Sequence, residues 1–305
     1  MSSLPPADRS PSVLLTGATS YLGSAITRRL LASGSTVTVV VRTDSALEQF
    51  TEMAVSPAVR VHDGSIESMI EVVREVEPDV VVHLATSYRR EHTPDDVDEM
   101  VRSNIGFGTQ LLEAMKLAGC RRLVTAGTYF QHYGTDGYRP VNLYAAMKQA
   151  FEDILAYYVD AWQFTSIALV LYDVYGPGDR RSKLMEAVRD AQRGGEPLRL
   201  PEVDIEMNFV YVDDAVEAFM RSVQLVLEEP TPAARRFSVG GVRQHRLSEL
   251  ISTFEEVSGR PVPHEWGAYV GPGRSVSSPW VGQTLPGWRP EWSLRDGVER
   301  FLADS

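Results

Sequence analysis

The sequence predicts an α/β protein with a doubly wound parallel sheet and a smaller C-terminal lobe. Short runs of β-branched residues alternate with helical patterns through the first half of the chain. The predicted strands are apolar on both faces, as in TVTVVV at 36–41, which is typical of parallel strands covered by helices on both sides. Beyond residue 171 this pattern loosens and Gly and Pro cluster, which indicates a separate small lobe.

The predicted elements follow one another in βα order. Strands are expected at 12–16, 36–41, 59–62, 79–85, 122–126 and 165–171, and helices at 22–32, 66–76, 95–118 and 143–161. A strand at 209–212 then leads into a helix from Asp213, and another strand spans 237–239. We therefore expect a main domain at 11–171 to which segments at about 207–241 return. The lobe would comprise 172–206 and 242–305, after a flexible leader at 1–10.

The composition narrows the range of partners. The 305 residues are 43% hydrophobic and 23% charged, close to ordinary globular usage. The net charge of −11 repels phosphate backbones, so nucleic acid is not expected to bind, and no apolar run is long enough for a membrane span. Cys120 is the only cysteine, which excludes an intrachain disulfide and favours a reducing, cytoplasmic location. The six histidines lack ligand spacing, so no metal site is predicted.

A glycine-containing loop, TGATSYLG at 16–23, joins the first predicted strand to the first helix. Such a loop points backbone N–H groups and a helix N-terminus at an anion. Gly17 allows the tight turn, and Gly23 allows close packing of the helix. Ser20 stands where the general dinucleotide fingerprint has a glycine, so the loop alone also fits an ordinary strand-to-helix turn. Its position after the first strand favours a dinucleotide phosphate site.

Arg42 ends the second predicted strand. An acidic residue near this place would bind the ribose 2′-hydroxyl of NAD, whereas an arginine favours the 2′-phosphate of NADP. A solvated arginine at a strand end is also common, and Asp44 follows two residues later. We predict NADP(H) on the basis of Arg42.

Tyr144 and Lys148 lie four residues apart in a predicted helix and therefore share a face. A nearby ammonium stabilises a phenolate and lowers the phenol pKa, which suits an acid/base. Thr128 falls just past the predicted strand 122–126, at the edge where open α/β sheets bind ligands, so its hydroxyl is expected to meet a carbonyl oxygen. Alone, these patterns also fit an ordinary amphipathic helix and a loop threonine.

Eight motifs occur together in one order. They are TGATSYLG, HLAT at 83–86, NIGFGTQLLEA at 104–114, Thr128, YAAMK at 144–148, YGPGDRR at 175–181, FVYVDDAVEAF at 209–219 and GWRPEWSLRDGV at 287–298. In this set the chain resembles the extended short-chain dehydrogenase/reductases, the NAD-dependent epimerase/dehydratase group, over residues 13–302. The stretches GTYFQHY and PVNLYAAMKQAFEDIL are most similar to the CDP-abequose synthase-like sugar 4-ketoreductases of that family.

The resemblance implies a Rossmann fold and a set of site residues. Tyr144 would be the acid/base, and Lys148 would bind the nicotinamide ribose and tune that phenol. Thr128 would orient the substrate carbonyl, and Asn104 would support the site. Contacts to the NADP(H) cofactor would come from Gly17, Thr19, Ser20, Tyr21, Leu22, Gly23, Arg42, Asp63, Gly64, Ser65, Leu84, Ala85, Thr86 and Lys148. Contacts to the substrate would come from Ser87, Tyr88, Tyr129, Arg180, Arg181 and Arg274. Met207 stands where many nucleotide-sugar enzymes of the family have a phosphate-binding arginine.

The expected activity is NADPH-dependent reduction of a keto group on a nucleotide-linked sugar, a 4-keto-6-deoxyhexose, with Tyr144 as proton donor. The resemblance also implies a homodimer through the helices at 95–118 and 143–161, whose apolar residues fit either an interface or the core. Two alternatives stay open, a nucleotide-sugar 4-epimerase and a non-catalytic NADP(H)-binding regulator. A 4,6-dehydratase is disfavoured because Tyr129 and Phe130 follow Thr128, where those enzymes usually have Asp-Glu.

Overall fold

A parallel β-sheet forms the centre of the protein. The structure, a computed structural model, describes residues 10–51, 53–179, 181, 183–269, 271 and 273–303. Within these residues, the strands of the sheet are β1 (Ser12–Thr16), β2 (Thr36–Arg42), β3 (Ala58–His62), β4 (Val80–His83), β5 (Arg122–Thr128), β6 (Thr165–Leu171) and β10 (Ala233–Val239). Their order is β10-β6-β5-β4-β1-β2-β3, and every neighbouring pair is parallel. The predicted doubly wound α/β class is confirmed.

Helices cover both faces of this sheet. Those that contact it include α1 (Tyr21–Ala32), α3 (Ile66–Val76), α6 (Leu143–Trp162) and α8 (Val212–Glu228), and α5 (Phe107–Ala118) packs against α3 and α6. The other described helices are α2 (Glu48–Thr51), α4 (Val97–Val101), α7 (Leu184–Gln192), α9 (Leu247–Ser258) and α10 (Leu294–Ala303). Val13 and Leu15 of β1 belong to one buried cluster and Leu14 to another, because successive side chains point to opposite faces. Both faces of the sheet are therefore shielded from water, which explains why the strands are continuously apolar. Among the described residues, no helix has the length and apolar character needed to cross a bilayer.

The segment predicted as one helix at 95–118 is interrupted. A 3₁₀ turn (Pro94–Asp96) and α4 are followed by a π-helical turn, Arg102–Gly106, before α5 begins. Asn104 is buried within this π turn. Apolar periodicity does not reveal such a turn, because the flanking helical faces stay apolar; π turns inside helices are frequent at functional sites.

Two small sheets lie beyond the main one. β7 (Asp173–Tyr175), β9 (Glu206–Tyr211) and β11 (Gln244–Arg246) form the first, and β8 (Leu198–Leu200) pairs with β12 (His264–Trp266) in the second. α8 packs against the main sheet and β10 joins it, whereas β9 pairs with β7 and β11. One buried cluster contains Leu15 of β1 together with Phe209, Phe254 and Phe301. The division into two domains stays a prediction, and residues 1–9 of the predicted leader lie outside the described residues.

The apolar residues considered for a dimer contact belong to the core of one subunit. Leu111, Leu112, Met115, Phe151 and Leu155 are all buried in the cluster between the sheet and helices α3, α5 and α6. Their packing is explained without a partner chain. A dimer contact on these helices must therefore use other residues.

Candidate active site

A cleft of about 2020 Å³ runs along the carboxyl edge of the main sheet and is also lined by residues of β7, β8, β9 and α7. Parallel strands in open α/β sheets present their carboxyl ends to ligands in this way. Thr128, Tyr144 and Lys148 all line the cleft, as do Tyr88 and Tyr129. The remaining predicted residues that line it are Gly17, Thr19, Ser20, Leu22, Arg42, Asp63, Gly64, Leu84, Ala85, Thr86 and Arg181.

The glycine loop packs closely against the backbone that follows β4 and against the start of α1. Gly17 has φ of +76°, and a Cβ there would lie 2.5 Å from the amide nitrogen of Ala85. A Cβ at Gly23 would lie 2.2 Å from the carbonyl oxygen of Gly17. The side chain of Ser20 caps α1 by accepting a hydrogen bond from the amide of Gly23 at 3.1 Å. Tyr21 lies behind the loop, with the Arg181 guanidinium 5.0 Å from its ring centroid.

Arg42 and Asp63 stand at the far end of the cleft, where β2 and β3 end. The Arg42 guanidinium is exposed and lies 3.2 Å from the Asp44 carboxylate. The Asp63 carboxylate accepts hydrogen bonds from the amide and the hydroxyl of Ser65, at 2.8 and 2.7 Å. Ser65 in turn caps α3 rather than facing the cleft, so its part is to shape this turn. The carbonyl of Gly64 accepts a hydrogen bond from Gln110.

The hydroxyl of Thr128 has its orientation set by a short 3₁₀ turn. The backbone N–H of Phe130 donates to Thr128 Oγ at 3.3 Å. The Thr128 amide donates to Gln131 Oε1 at 3.0 Å, which closes the turn in the manner of a capping box. Because Thr128 Oγ already accepts one hydrogen bond, its own proton points elsewhere and is available to a carbonyl oxygen in the cleft.

Burial controls the protonation of the Tyr144–Lys148 pair. It raises the pKa of Tyr144 to about 12, although a hydrogen bond with Thr86 opposes the shift. Burial lowers the pKa of Lys148 to about 8, and the charge of Glu152 opposes this shift. The ring of Tyr144 packs edge-on against Tyr88 at 4.9 Å, and Lys148 Nζ lies 5.8 Å from the Tyr144 ring centroid. The expected lowering of the Tyr144 pKa is therefore wrong for this structure, because the loss of solvation on burial dominates the shift.

Asn104 braces the segment that follows β4. Its side-chain oxygen accepts hydrogen bonds from the Thr86 hydroxyl at 2.5 Å and from the Ser87 amide at 3.1 Å. Its amide nitrogen donates to the Ser87 carbonyl at 2.9 Å. Ser87 is buried, and its hydroxyl donates to Glu99, so the structure puts Ser87 behind the cleft and Thr86 on its wall.

His83, which ends β4, is a core histidine. Its Nδ1 lies 2.7 Å from the Thr16 hydroxyl, and burial lowers its pKa to about 3, so the ring is neutral. This contact and the neutral ring give His83 a structural role. Among the described residues, no group of three or more His, Cys, Asp or Glu side chains could hold a metal ion.

Two of the predicted substrate-binding arginines, Arg181 and Arg274, line different clefts. Arg181 lines the cleft but forms two short contacts of 2.6 Å with the buried carboxylate of Asp179. Arg274 lies in a smaller adjoining cleft, where it donates to the Pro140 carbonyl at 2.6 Å and lies over the Tyr133 ring. Arg180 lies outside the described residues.

Sequence reasoning missed Asp173, a carboxylate at the start of β7 that lines the cleft. Its Oδ2 accepts a hydrogen bond from the Tyr129 hydroxyl at 3.1 Å. Burial raises the Asp173 pKa, while the cations Lys183 and Arg90 oppose the shift. Arg90, Lys183, Arg189 and Arg199 also line the cleft. Asp173 follows the predicted strand 165–171 by two residues, so the rule that pointed to Thr128 could have found it.

Known proteins share this fold and this order of motifs. Residues 13–240 match the NAD dependent epimerase/dehydratase family. The chain belongs to that family. This makes it an enzyme of the short-chain dehydrogenase/reductase type, and the predicted family resemblance is confirmed.

Individual members of the family align over most of the chain. A CDP-abequose synthase from Yersinia pseudotuberculosis is 25% identical over 246 residues, covering 80% of this chain and 84% of that protein. A probable UDP-glucuronate 4-epimerase from Rhizobium meliloti is 24% identical and covers 95% of each. The solved UDP-glucuronic acid 4-epimerase from Bacillus cereus, in complex with UDP-glucuronic acid and NAD, superposes with a TM-score of 0.83 at 22% identity, over 96% of this chain and 98% of that one. At this identity, the structural likeness shows the shared fold alone.

Proposed function

We propose that the protein is an NADPH-dependent reductase of a keto group on a nucleotide-linked sugar, a 4-keto-6-deoxyhexose. The proposal rests mainly on one observation: Thr128, Tyr144 and Lys148 line the same cleft. Arg42 lines this cleft at its other end. The CDP-abequose synthase relatives support the choice of a nucleotide-linked sugar as substrate.

The described residues fit a nicotinamide dinucleotide. The absence of a side chain at Gly17 lets the loop pack directly against the backbone of Ala85, and Gly17, Thr19 and Ser20 line the cleft before α1 begins. Arg42 offers an exposed guanidinium at the end of β2, which suits the 2′-phosphate of NADP. When bound, this cofactor supplies the hydride.

The chain's own groups would handle the substrate oxygen. Thr128 donates a hydrogen bond to the carbonyl, since its Oγ already accepts from the Phe130 amide. Tyr144 also donates to that oxygen and gives up its proton as negative charge develops there. Tyr144 is protonated at neutral pH, and although burial makes its phenol a weaker acid, the alkoxide that forms on the substrate is basic enough to take the proton. Lys148 supplies a positive charge beside the phenol, which offsets the developing phenolate.

The sugar end of the cleft offers both a carboxylate and cations. Asp173 and Tyr129 form a hydrogen-bonded pair suited to sugar hydroxyls. Arg90 and Arg199 line the same cleft and supply positive charge for a diphosphate. Such local cations are needed because the whole protein carries a charge of −11.

A second candidate is a nucleotide-sugar 4-epimerase that keeps NAD bound. Asp44 favours it, because this carboxylate lies 3.2 Å from Arg42 and would repel a 2′-phosphate. UDP-glucose 4-epimerases from several bacteria, among them Mycolicibacterium smegmatis and Streptomyces lividans, are also relatives, at 24% identity.

The test is the stoichiometry of the reaction. The protein is incubated with NADPH and CDP-, UDP- and dTDP-linked 4-keto-6-deoxyhexoses, and separately with the corresponding nucleotide-linked hexoses. Cofactor oxidation is followed alongside product mass. The reductase oxidises one NADPH for each sugar converted, and the product gains two hydrogen atoms. Conversion of UDP-hexoses without cofactor consumption would assign the protein to the epimerases. Loss of water from a nucleotide-linked hexose would indicate a dehydratase and would make Asp173 a candidate catalytic group.

A further inference from the structure

A buried polar chain runs behind the wall of the cleft. Gln131 is fully buried, and its amide nitrogen donates to Glu152 Oε1 at 3.1 Å and to Gln149 Oε1 at 3.0 Å. Its amide oxygen accepts from the backbone of Thr128. One side chain thus connects Glu152 of α6 to the turn that carries Thr128.

The carboxylate of Glu152 lies tightly against β5. A Cβ at Gly127 would lie 3.1 Å from both Glu152 Oε1 and Gln131 Oε1, so a side chain at residue 127 would crowd these groups. The side chain of Glu152 is 15% exposed, and its second oxygen lies 3.8 Å from Arg236 of β10. A carboxylate held in this way is oriented and largely shielded from water.

Glu152 follows Lys148 by one turn of α6, so the two side chains share a face of the helix. Lys148 is itself buried, and Glu152 is the charge that opposes the loss of its proton. The other titratable groups around the pair are Tyr144 and Asp153 of α6, the neutral ring of His83 on β4, and Arg236 on β10. Among the described residues Lys148 forms no direct ion pair within 4.0 Å, so Glu152 acts on its ammonium through space, one helical turn away on the side opposite Tyr144.

We propose that Glu152, held by Gln131, is a positioning residue that keeps the Lys148 ammonium charged beside Tyr144 at neutral pH. This inference rests on the proposed function only for its consequence in catalysis. Its physical content, the charge state of Lys148, can be measured without any substrate.

The small number of lysines makes that measurement direct. The sequence contains three, Lys116, Lys148 and Lys183. Labelling the lysine ε-carbon with ¹³C therefore gives three NMR signals to follow against pH, and the Lys148 signal is the one that disappears in Lys148→Arg. In the wild-type protein its midpoint is expected near pH 8. In Glu152→Gln the midpoint should fall by about one unit, since an ammonium without its counter-charge loses its proton more easily.

Asp153→Asn is the matched control. It removes one negative charge from the same helix at the neighbouring, exposed position, so the Lys148 midpoint should stay at the wild-type value. Glu152→Asp keeps a carboxylate on a shorter stem and should move the midpoint down by less than Glu152→Gln does. It also serves as the test variant if Glu152→Gln does not fold. An unchanged Lys148 midpoint in the variant that folds would overturn the proposal, as would an equal shift in Asp153→Asn.

The catalytic consequence is read from the pH profile of NADPH-dependent turnover. The alkaline limb of kcat should move to lower pH in Glu152→Gln by the same interval as the NMR midpoint. A Glu152→Gln profile that only scales down, with its limb in place, would indicate a structural role and contradict the inference. If the wild-type protein oxidises no NADPH with any keto-sugar, the proposed function fails, and the lysine titration still decides the inference.

Discussion

In the proposed reaction, the phenol of Tyr144 gives its proton to the substrate oxygen. Tyr144→Phe keeps the ring and its edge-on contact with Tyr88 but removes the proton, so the fold should be retained. We expect kcat to fall by about 10²–10⁴ with little change in KM. Steady-state NADPH oxidation measures this, with cofactor affinity as the check on folding. Full activity in this variant would contradict the mechanism for any product.

Cofactor choice depends on two residues of opposite charge. Arg42→Ala should weaken NADPH binding much more than NADH binding, because it removes the guanidinium offered to the 2′-phosphate. Asp44→Asn should have the opposite effect and strengthen NADPH binding, because it removes the neighbouring negative charge. Fluorescence titration of the wild-type protein and both variants with each cofactor measures these affinities. Equal affinity of the wild-type protein for NADPH and NADH would remove the argument from Arg42.

At the scale of elements, the π turn Arg102–Gly106 holds the segment after β4. Asn104→Ala would leave the buried amide and carbonyl of Ser87 without their side-chain partner. We expect the free energy of unfolding to fall by about 1–3 kcal/mol. Urea denaturation measures the change, and Ser103→Ala in the same turn is the control, because it leaves the Asn104 hydrogen bonds in place. Equal stability of the two variants would show that the turn does not depend on Asn104.

Across the whole molecule, the resemblance predicts a homodimer that uses the segment at 95–118 and helix α6. The exposed apolar side chains on these elements include Val101, Leu117, Tyr157 and Trp162. Light scattering at micromolar concentration should therefore give twice the chain mass of 33.9 kDa. Tyr157→Glu should shift the protein toward the monomer, because it puts a charge at the contact.

A substitution in the core serves as a control that distinguishes loss of the dimer contact from loss of folding stability. Leu111 is fully buried, so Leu111→Ala should lower the free energy of unfolding by about 2–5 kcal/mol and leave the mass of the folded protein unchanged. A monomeric wild-type mass would contradict the dimer itself.

Local sequence determined the elements and the edge of the sheet at which chemistry takes place. The βα alternation predicted six of the strands of the main sheet within two residues at most boundaries, because burial on both faces requires apolar runs. The helix at 66–76 was predicted to the residue, between the cap at Ser65 and the left-handed residue Glu77. Thr128, Tyr144 and Lys148 could be selected because strand ends and helical spacing are local properties of the chain.

Only the tertiary structure decided which groups meet. Asp173 reaches the hydroxyl of Tyr129 across 44 residues of sequence, and Gln131 reaches Glu152 across 21. It also decided that burial rather than Lys148 dominates the pKa of Tyr144. Periodicity states which face of an element is buried but not which element packs against it. Partners, solvation and the resulting pKa values therefore depend on contacts between distant segments, which form only when the chain folds.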